Sequence, residues 1–246
     1  MRNLILILVL FCFSCSVSQD YTYFNKNIEY HYLAVYIDKD GDTITHEKMI
    51  LKPLGRPWLP QPWLQTAIKF IYNTDTTGFK NYVDPDIFFH KKNQKHIEEK
   101  GKLRVSEKEI TGAFSKRGAF YMHPPRVNQY RMLFYSAHPM VPFAALNDSA
   151  NHFVQDHLNV IGMGGRYIQY YTVTPLQDTV INNTSIGAWS VYAISGGDFN
   201  EYHESLKIYD STLDAVFTKE YGFVKLHYTF ENGIKIQFDL DKVVCL

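Results

Sequence analysis

The sequence predicts a mainly β fold, in which an antiparallel sheet is curled into an open or closed barrel-like domain with one or two short helices. The last 23 residues give the strongest indication, because they form a strand–turn–strand pattern. Aromatic residues make up 15% of the chain, and its 18 Tyr and 17 Phe suit the half-buried surface of strands. The strands predicted in the second half also follow the spacing of about 8–12 residues that is typical of antiparallel sandwiches and barrels.

The first 18 residues have the features of a secretory signal. Arg2 supplies a positive charge, and the apolar stretch Leu4–Phe13 is too short to cross a bilayer, which takes about 20 residues. Cleavage can follow the small residues Ser16–Ser18, or Cys15 can become the lipidated N-terminus of a lipoprotein; we favour lipidation of Cys15. We therefore expect residues 1–18 to be a signal peptide and residues 19–246 to form a single antiparallel β domain.

The first half of the chain is predicted to be strands and turns with one proline-rich interruption. The predicted elements are strands Asn27–Ile37 and Thr43–Leu51 around the turn Asp38–Asp42, a strand or short helix Gln65–Tyr72, a helix from Asp84–Pro85 toward Gly101, and a hairpin of Ile110–Ser115 with Ala119–Met122. Four prolines and one glycine in Pro53–Trp63 argue against a central strand or a helix there. We read that segment as a crossing over one barrel end or as a lid.

The second half is predicted to be mostly strands. The predicted elements are a strand Tyr130–Tyr135, an irregular segment Leu146–His157, a strand Arg166–Thr174, one or two strands within Val180–Ile194, a turn at Gly196–Gly197, and a strand pair Tyr202–Tyr209 and Leu213–Phe217 around Asp210–Thr212.

The closing hairpin can be predicted in register. Val224–Phe230 and Ile234–Leu240 each alternate apolar and polar residues, and Glu231–Gly233 lies between them. A two-residue loop would mix the faces, whereas a three-residue loop aligns all the apolar side chains, and side-chain alternation makes this choice sharp. The pairs that it predicts are Phe230 with Ile234, Tyr228 with Ile236, Leu226 with Phe238, and Val224 with Leu240. We expect Gly233 to be left-handed.

Four residues are candidates for ligand binding at a rim of the barrel: Trp58, Trp63, His123 and Arg126. The tryptophans can present stacking faces to a ligand, although plugging the end of the core is the more common role. Two prolines after His123 end a strand, so His123 and Arg126 could hold an anionic ligand between an imidazole and a guanidinium. The competing interpretation is a turn whose arginine packs on a tyrosine.

The sequence offers no catalytic, metal-binding or cofactor-binding motif. It lacks Gly-x-Ser-x-Gly, His-Glu-x-x-His, a phosphate-binding glycine loop and Cys-x-x-Cys. His152 and His157 lie five residues apart, which is unsuited to a shared metal on one helix face. Equal numbers of acidic and basic residues, 25 each, argue against a nucleic-acid partner. Cys245 is expected to be a small packed residue of the last strand. We therefore predict no cofactor, and catalysis is the less favoured reading.

The C-terminal half resembles uncharacterised bacterial envelope lipoproteins. The residues that carry the resemblance are His123–Arg126, Trp189, Ser211–Phe217 and Tyr221–Tyr228 with the hairpin that follows. The series of strands is also similar to half-barrel lipoprotein carriers of the bacterial envelope. These resemblances imply an outer-membrane lipoprotein that faces the periplasm or the cell surface and binds a hydrophobic or amphipathic ligand, or an envelope protein.

The alternatives to this expectation are a soluble secreted protein and, for function, a carbohydrate-active hydrolase. A hydrolase of that kind would need two carboxylates across a cleft, for which Asp239 with Asp241 and Glu201 with Glu204 are the sequence candidates.

Overall fold

The computed structural model describes residues 25–61, 64–73, 107–114, 118–134, 136–147, 152–160, 165–176, 179–181, 184–198 and 210–246. These described residues form fourteen strands and two short 3-10 helices, Asn128–Phe134 and Phe143–Leu146. The strands are β1 (Ile28–Ile37), β2 (Thr43–Pro57), β3 (Thr66–Asn73), β4 (Lys108–Phe114), β5 (Ala119–Met122), β6 (Met140–Pro142), β7 (His152–Val160), β8 (Gly165–Pro175), β9 (Thr179–Ile181), β10 (Thr184–Ile186), β11 (Ala188–Asp198), β12 (Ser211–Thr218), β13 (Gly222–Phe230) and β14 (Lys235–Cys245).

Twelve of these strands form one antiparallel sheet in the order β6-β5-β4-β3-β2-β1-β14-β13-β12-β11-β8-β7, and β9 pairs with β10. The sheet is curled into a nearly closed barrel, which confirms the predicted fold class. Pairing of β1 with β14 joins the two halves of the chain in the middle of the sheet. No helix in the described ranges is long and apolar enough to span a membrane.

The closing hairpin has the predicted register. Leu226 pairs with Phe238 and Tyr228 with Ile236, while the amide of Phe230 donates to the Ile234 carbonyl at 2.9 Å. Gly233 has a φ of 89°, as a left-handed loop residue requires. These apolar side chains are buried in the core, so the alternation in the sequence identified the inner face of the sheet correctly.

The first hairpin also confirms its prediction. β1 and β2 are joined by the turn at Asp38–Asp42, where the Asp38 carboxylate accepts hydrogen bonds from the amides of Asp40 and Asp42 at 3.0 and 2.9 Å. This arrangement is the Asx turn that short acidic side chains favour. The predicted hairpin of β4 and β5 and the strand β3 are present as well.

The proline-rich segment required a correction, because β2 continues through Pro53 to Pro57. Beyond Leu51, β2 pairs with β3, and the register shifts between Pro53 and Pro57. A strand with an unpaired side and a bulge tolerates residues that have no N–H group to donate. The rule that excludes prolines from a strand applies to central strands, whereas this stretch of β2 is paired on one side only.

Three other local predictions were wrong. The predicted strand Tyr130–Tyr135 falls on the first 3-10 helix, whose residues Tyr130 and Leu133 are both fully buried at a spacing of three. The segment predicted to be irregular contains β7, and Gly196–Gly197 belongs to β11 rather than to a turn. A Cβ at Gly196 would lie 3.3 Å from a carboxylate oxygen of Asp210, so this glycine permits a close approach.

Several sequence predictions fall outside the described residues: Cys15, Trp63, the helix from Asp84–Pro85, and the strand Tyr202–Tyr209. Cys245 ends β14 as predicted, but its side chain is exposed rather than packed.

The barrel has two distinguishable ends. At the proximal end β1 begins and β14 finishes: Ile28 pairs with Cys245, and the Leu246 amide donates to the Asn27 carbonyl at 2.7 Å. The β2–β3 turn and the connection from β8 to β11 lie at this end too, because of the antiparallel order. At the distal end are the β1–β2 and β13–β14 turns, where a Cβ on Gly233 would lie 3.2 Å from the Lys39 carbonyl.

Replacing Leu226 or Phe238 by Asp should prevent folding, because an unpaired carboxylate would be placed on the buried face of the hairpin. The matched control is Thr229→Asp, which puts the same group on the exposed face of the same strand. Circular dichroism and urea unfolding of soluble protein would measure the effect. A normally folded Leu226→Asp variant would show that the two faces of the hairpin have been assigned the wrong way round.

Candidate functional site

The most unusual feature of the interior is a stretch of irregular chain that runs through the core. We call residues 123–139 the crossing segment; the structure describes all of it except residue 135. It leaves the sheet after β5 and rejoins it at β6, and its residues Tyr130, Leu133 and Ala137 are fully buried. Buried backbone outside regular structure needs partners for its N–H and C=O groups, so the wall of the barrel has to supply them.

Strands β8 and β12 supply these partners on one side. The Gln169 side chain donates to the Ser136 carbonyl at 3.0 Å and accepts from the His138 amide at 3.4 Å. The Tyr171 hydroxyl donates to the backbone carbonyl of His138 at 2.9 Å and also contacts the side-chain Oε1 of Gln169. The Ala137 amide donates to the Ser211 hydroxyl at 3.3 Å. The crossing segment is thereby fastened to the half of the sheet farthest from it in strand order.

Strand β4 holds the start of the segment through Arg126. The Glu109 carboxylate accepts from the Arg126 amide at 2.7 Å and lies 3.4 Å from its Nε. The guanidinium also donates from Nη2 to Thr111 at 2.7 Å, and it lies 5.1 Å from the ring centre of Phe134. The sequence left open whether Arg126 binds an anion or packs on a tyrosine. In the structure its guanidinium faces a carboxylate of the same chain and a phenylalanine.

A second buried carboxylate binds the middle of the segment. Glu47 on β2 accepts from the hydroxyl of Tyr130 at 2.5 Å, and Tyr130 stacks on Tyr72 with ring centres 5.7 Å apart. Tyr72 in turn donates to Glu109 at 3.0 Å. Burial and the nearby carboxylates of Glu109 and Glu47 raise the pKa of Tyr72, so its hydroxyl remains a donor.

The histidines of the segment, His123 and His138, share one tyrosine hydroxyl. Oη of Tyr121 lies 2.6 Å from Nδ1 of His138 and 3.1 Å from Nδ1 of His123. Nε2 of His138 lies 3.3 Å from the Phe134 carbonyl, which can only accept, so this nitrogen carries the proton. Because a neutral His138 then accepts at Nδ1, Tyr121 donates to it and receives a hydrogen bond from Nδ1–H of His123.

Both imidazoles are held neutral. Burial lowers the pKa of His123 to about 2, and the neighbouring His138 and Arg126 add to the effect. Burial also lowers the pKa of His138 to about 4; its hydrogen bond to Phe134 opposes this shift, and Arg126 supports it. Neither group can act as a proton acceptor near neutral pH, because both values lie far below it. The arrangement therefore orders hydrogen bonds in the core.

The structure brings together two of the four ligand-binding candidates. The rings of Trp58 and His123 lie 5.3 Å apart. Gly112 makes this contact possible, because a Cβ there would lie 2.5 Å from the Trp58 ring and 1.8 Å from Oε1 of Gln65. Oε1 of Gln65 and Nε2 of His123 are both buried without a hydrogen-bond partner among the described residues. Ligand binding by this group stays a prediction, and Trp63 lies outside the described residues.

The carboxylates considered for a hydrolase are placed as follows. Asp239 is exposed on β14 and lies 2.9 Å from Nε2 of His227, and Asp241 is exposed on the same strand. Glu201 and Glu204 lie outside the described residues. Among the described residues, no three His, Cys, Asp or Glu side chains are grouped closely enough to hold a metal ion.

Sequence reasoning missed the wall residues Glu47, Gln169 and Tyr171, although a signal for two of them was present. Gln169 stands at an inward position of β8, in step with the buried residues Tyr171 and Val173, and Glu47 stands likewise between Thr45 and Met49 on β2. A polar residue in the buried register of a strand indicates an internal partner. The backbone that such a residue contacts could not be inferred, because Tyr130–Tyr135, the middle of the crossing segment, was predicted to be a strand.

Comparisons with known proteins do not show a family for this chain. No protein-family model matches the chain, and neither does any curated protein. Among solved structures, a candidate lipoprotein from Parabacteroides distasonis is similar, with a TM-score of 0.43 and 10% sequence identity. The match covers 91% of this chain and 98% of that one. At this degree of similarity the comparison carries no argument about fold or function.

The neutral histidines make stability depend on pH. Their folded pKa values lie below the ordinary value of 6.5, so the unfolded chain takes up protons that the folded chain does not. The stabilisation is fully present above pH 6.5 and is lost as the pH falls from 6.5 toward the folded values. At pH 5.5 each histidine should cost about 1.4 kcal/mol, or about 3 kcal/mol for the pair.

Urea unfolding at pH 7.5 and 5.5 would measure this loss. The control is His138→Gln, which should remove about half of the difference between the two pH values whatever its own effect on stability. Equal stability of the unsubstituted protein at both values would contradict the buried, neutral state of the pair.

Proposed function

We propose that this chain is an exported protein of the bacterial cell envelope, anchored to a membrane by a lipid on Cys15, and that it binds a partner protein through its outer surface. The observation that carries the proposal is the occupied interior. In the described portion of the chain, one continuous cluster of buried side chains extends from β1 to β14 and includes the crossing segment. A carrier of hydrophobic molecules needs a concave space of its own, whereas the described core is a continuous cluster of the chain's own buried side chains.

The outer face of β8 and β11 is the surface best suited to a partner. Tyr170 lies directly opposite Ile194, and Tyr192 lies opposite Thr172 on the same face. Tyr170, Tyr192 and Ile194 are all exposed, and we call them the outer patch. Tyrosine supplies large contact area at low cost in conformational entropy and is enriched at the centres of protein interfaces.

The N-terminal sequence supports export and a lipid anchor. Export is favoured by the charged start and the short apolar stretch Leu4–Phe13, and the cysteine that follows is placed where lipoprotein signals end. The chain between Cys15 and the first described residue, Asn25, then serves as a tether to the barrel.

Purification of the full chain from its own membranes, followed by intact-mass measurement and lipid extraction, tests the anchor and the filled interior together. We expect a mature chain that begins at an acylated Cys15 and holds no stoichiometric amphiphile beyond its anchor. The matched variant Cys15→Ser should lose the acyl mass. A mass that begins at Gln19 would remove the anchor, and a tightly held amphiphile would restore the carrier interpretation.

The outer patch is tested by site-specific photo-crosslinking in the same membranes. A crosslinker at Tyr192 should give one adduct of defined mass, and that adduct should disappear when Tyr170 and Ile194 are changed to Ala. A crosslinker at Lys235, which is exposed on β14, is the control position. Equal adducts at both positions, or an adduct that is indifferent to the two substitutions, would contradict binding at this patch.

A further inference from the structure

We infer that the proximal end of the barrel rests on an anionic lipid surface and places its exposed apolar side chains in the headgroup layer. This inference deepens the proposed function and rests on its lipid anchor, because it specifies how the anchored barrel is oriented. It follows from where the exposed apolar and charged residues stand in the fold.

The apolar side chains most exposed to solvent are gathered at one end. Among the described large hydrophobic residues, the three most exposed are Leu59 at 77%, Val180 at 69% and Leu246 at 63%. Leu59 lies in the β2–β3 turn, Val180 in the connection from β8 to β11, and Leu246 directly after β14. All three positions belong to the proximal end, and Leu176, which is 43% exposed, lies there as well because its amide bonds to the Ala188 carbonyl.

The end of the barrel that carries these residues is also the end at which the tether enters. Asn27 is bonded to Leu246, and a Cβ on Gly55 would lie 3.1 Å from the Lys26 side chain. Nine residues lie between Cys15 and Asn25, so the ten Cα–Cα steps of a fully extended tether reach only about 35 Å. An acylated Cys15 would hold the proximal end near the bilayer and the distal end away from it.

The charged residues favour the same orientation, with the proximal end toward the membrane. In the described turns and adjoining strand ends, the proximal end carries three basic residues against one acidic residue: Lys26, Arg56 and Lys219 against Glu220. The distal end has five exposed carboxylates against three lysines: Asp40, Asp42, Glu107, Asp210 and Glu231 against Lys39, Lys108 and Lys235. An anionic leaflet attracts the first end and repels the second.

A lysine–tryptophan pair strengthens the membrane interpretation. The Nζ atom of Lys219 lies 5.1 Å from the ring centre of Trp189 at the proximal end. Tryptophan and lysine side chains of this kind are common at the level of lipid headgroups, where an amphipathic ring and a cation are both accommodated.

A bilayer fits these residues better than a protein surface does. The exposed apolar side chains stand on separate turns and on the end of a strand, with cations among them, and do not form one flat patch. Protein interfaces are depleted of lysine at their centres, whereas a headgroup layer accepts apolar tips and cations side by side.

The test uses the mature lipidated protein reconstituted in vesicles of phosphatidylcholine and phosphatidylglycerol. Once Cys15 is acylated and the signal containing Cys12 is removed, Cys245 is the one remaining thiol of the three in the sequence. A nitrobenzoxadiazole label on Cys245 should be quenched by spin-labelled phospholipid. The same label on Glu231→Cys in a Cys245→Ser background, at the distal end, should not be quenched.

Substitutions then identify the residues responsible. Leu59→Asp together with Val180→Asp should reduce the quenching at Cys245 by about half or more. Ile110→Asp is the matched control, because Ile110 is 45% exposed but lies on the wall of the barrel, and it should leave the quenching unchanged. Vesicles of phosphatidylcholine alone should give weaker quenching than the anionic mixture.

The remaining outcomes separate the inference from the function on which it rests. Stable reconstitution with no quenching at either position would overturn the docking while leaving the anchor in place. Failure to reconstitute, together with a mass that lacks acyl chains, would overturn both. Rapid Cys245–Cys245 disulfide formation between copies in detergent would assign this end to a second copy of the chain and overturn docking on lipid.

Discussion

The hydrogen bonds from Gln169 and Tyr171 to the backbone of the crossing segment are the constraint on which the rest of this structure depends. They satisfy the carbonyl groups of Ser136 and His138, two residues that are buried in the core. The same segment is bonded on the other side to Glu109 and Thr111 through Arg126. The barrel is thus joined across its interior by side chains, in addition to the pairing of its strands.

The packed interior also bears on which surfaces of the molecule we propose for interaction. Polar groups of the described interior bond to the backbone of the crossing segment, and burial keeps the histidine pair neutral. The surfaces that we propose for interaction are the outer patch on β8 and β11 and the proximal end. A membrane-anchored barrel that meets lipid at one end would present the outer patch sideways, where a neighbouring envelope protein can reach it.

The sequence predicted those parts of the fold that alternate regularly. The register of β13 and β14, the turn at Asp38–Asp42 and the β4–β5 hairpin followed from side-chain periodicity and turn chemistry alone. The crossing segment did not follow, since Tyr130 and Leu133 are buried by contacts distant in sequence, which local pattern cannot reveal. Among the site candidates, sequence placed His123 and Arg126 beside a strand end, but their partners Tyr121, His138 and Glu109 depend on how the chain returns through the core.

Native-state hydrogen exchange at the amides of Ala137 and His138 tests the central claim most directly. If the wall residues fasten the crossing segment, these amides should exchange only when the whole protein unfolds, with the same opening free energy as amides in the middle of β13. Exchange of Ala137 and His138 at a much lower opening free energy, while β13 stays protected, would show that the segment can leave the core independently. The filled interior on which the functional account relies would then not be a fixed property of the molecule.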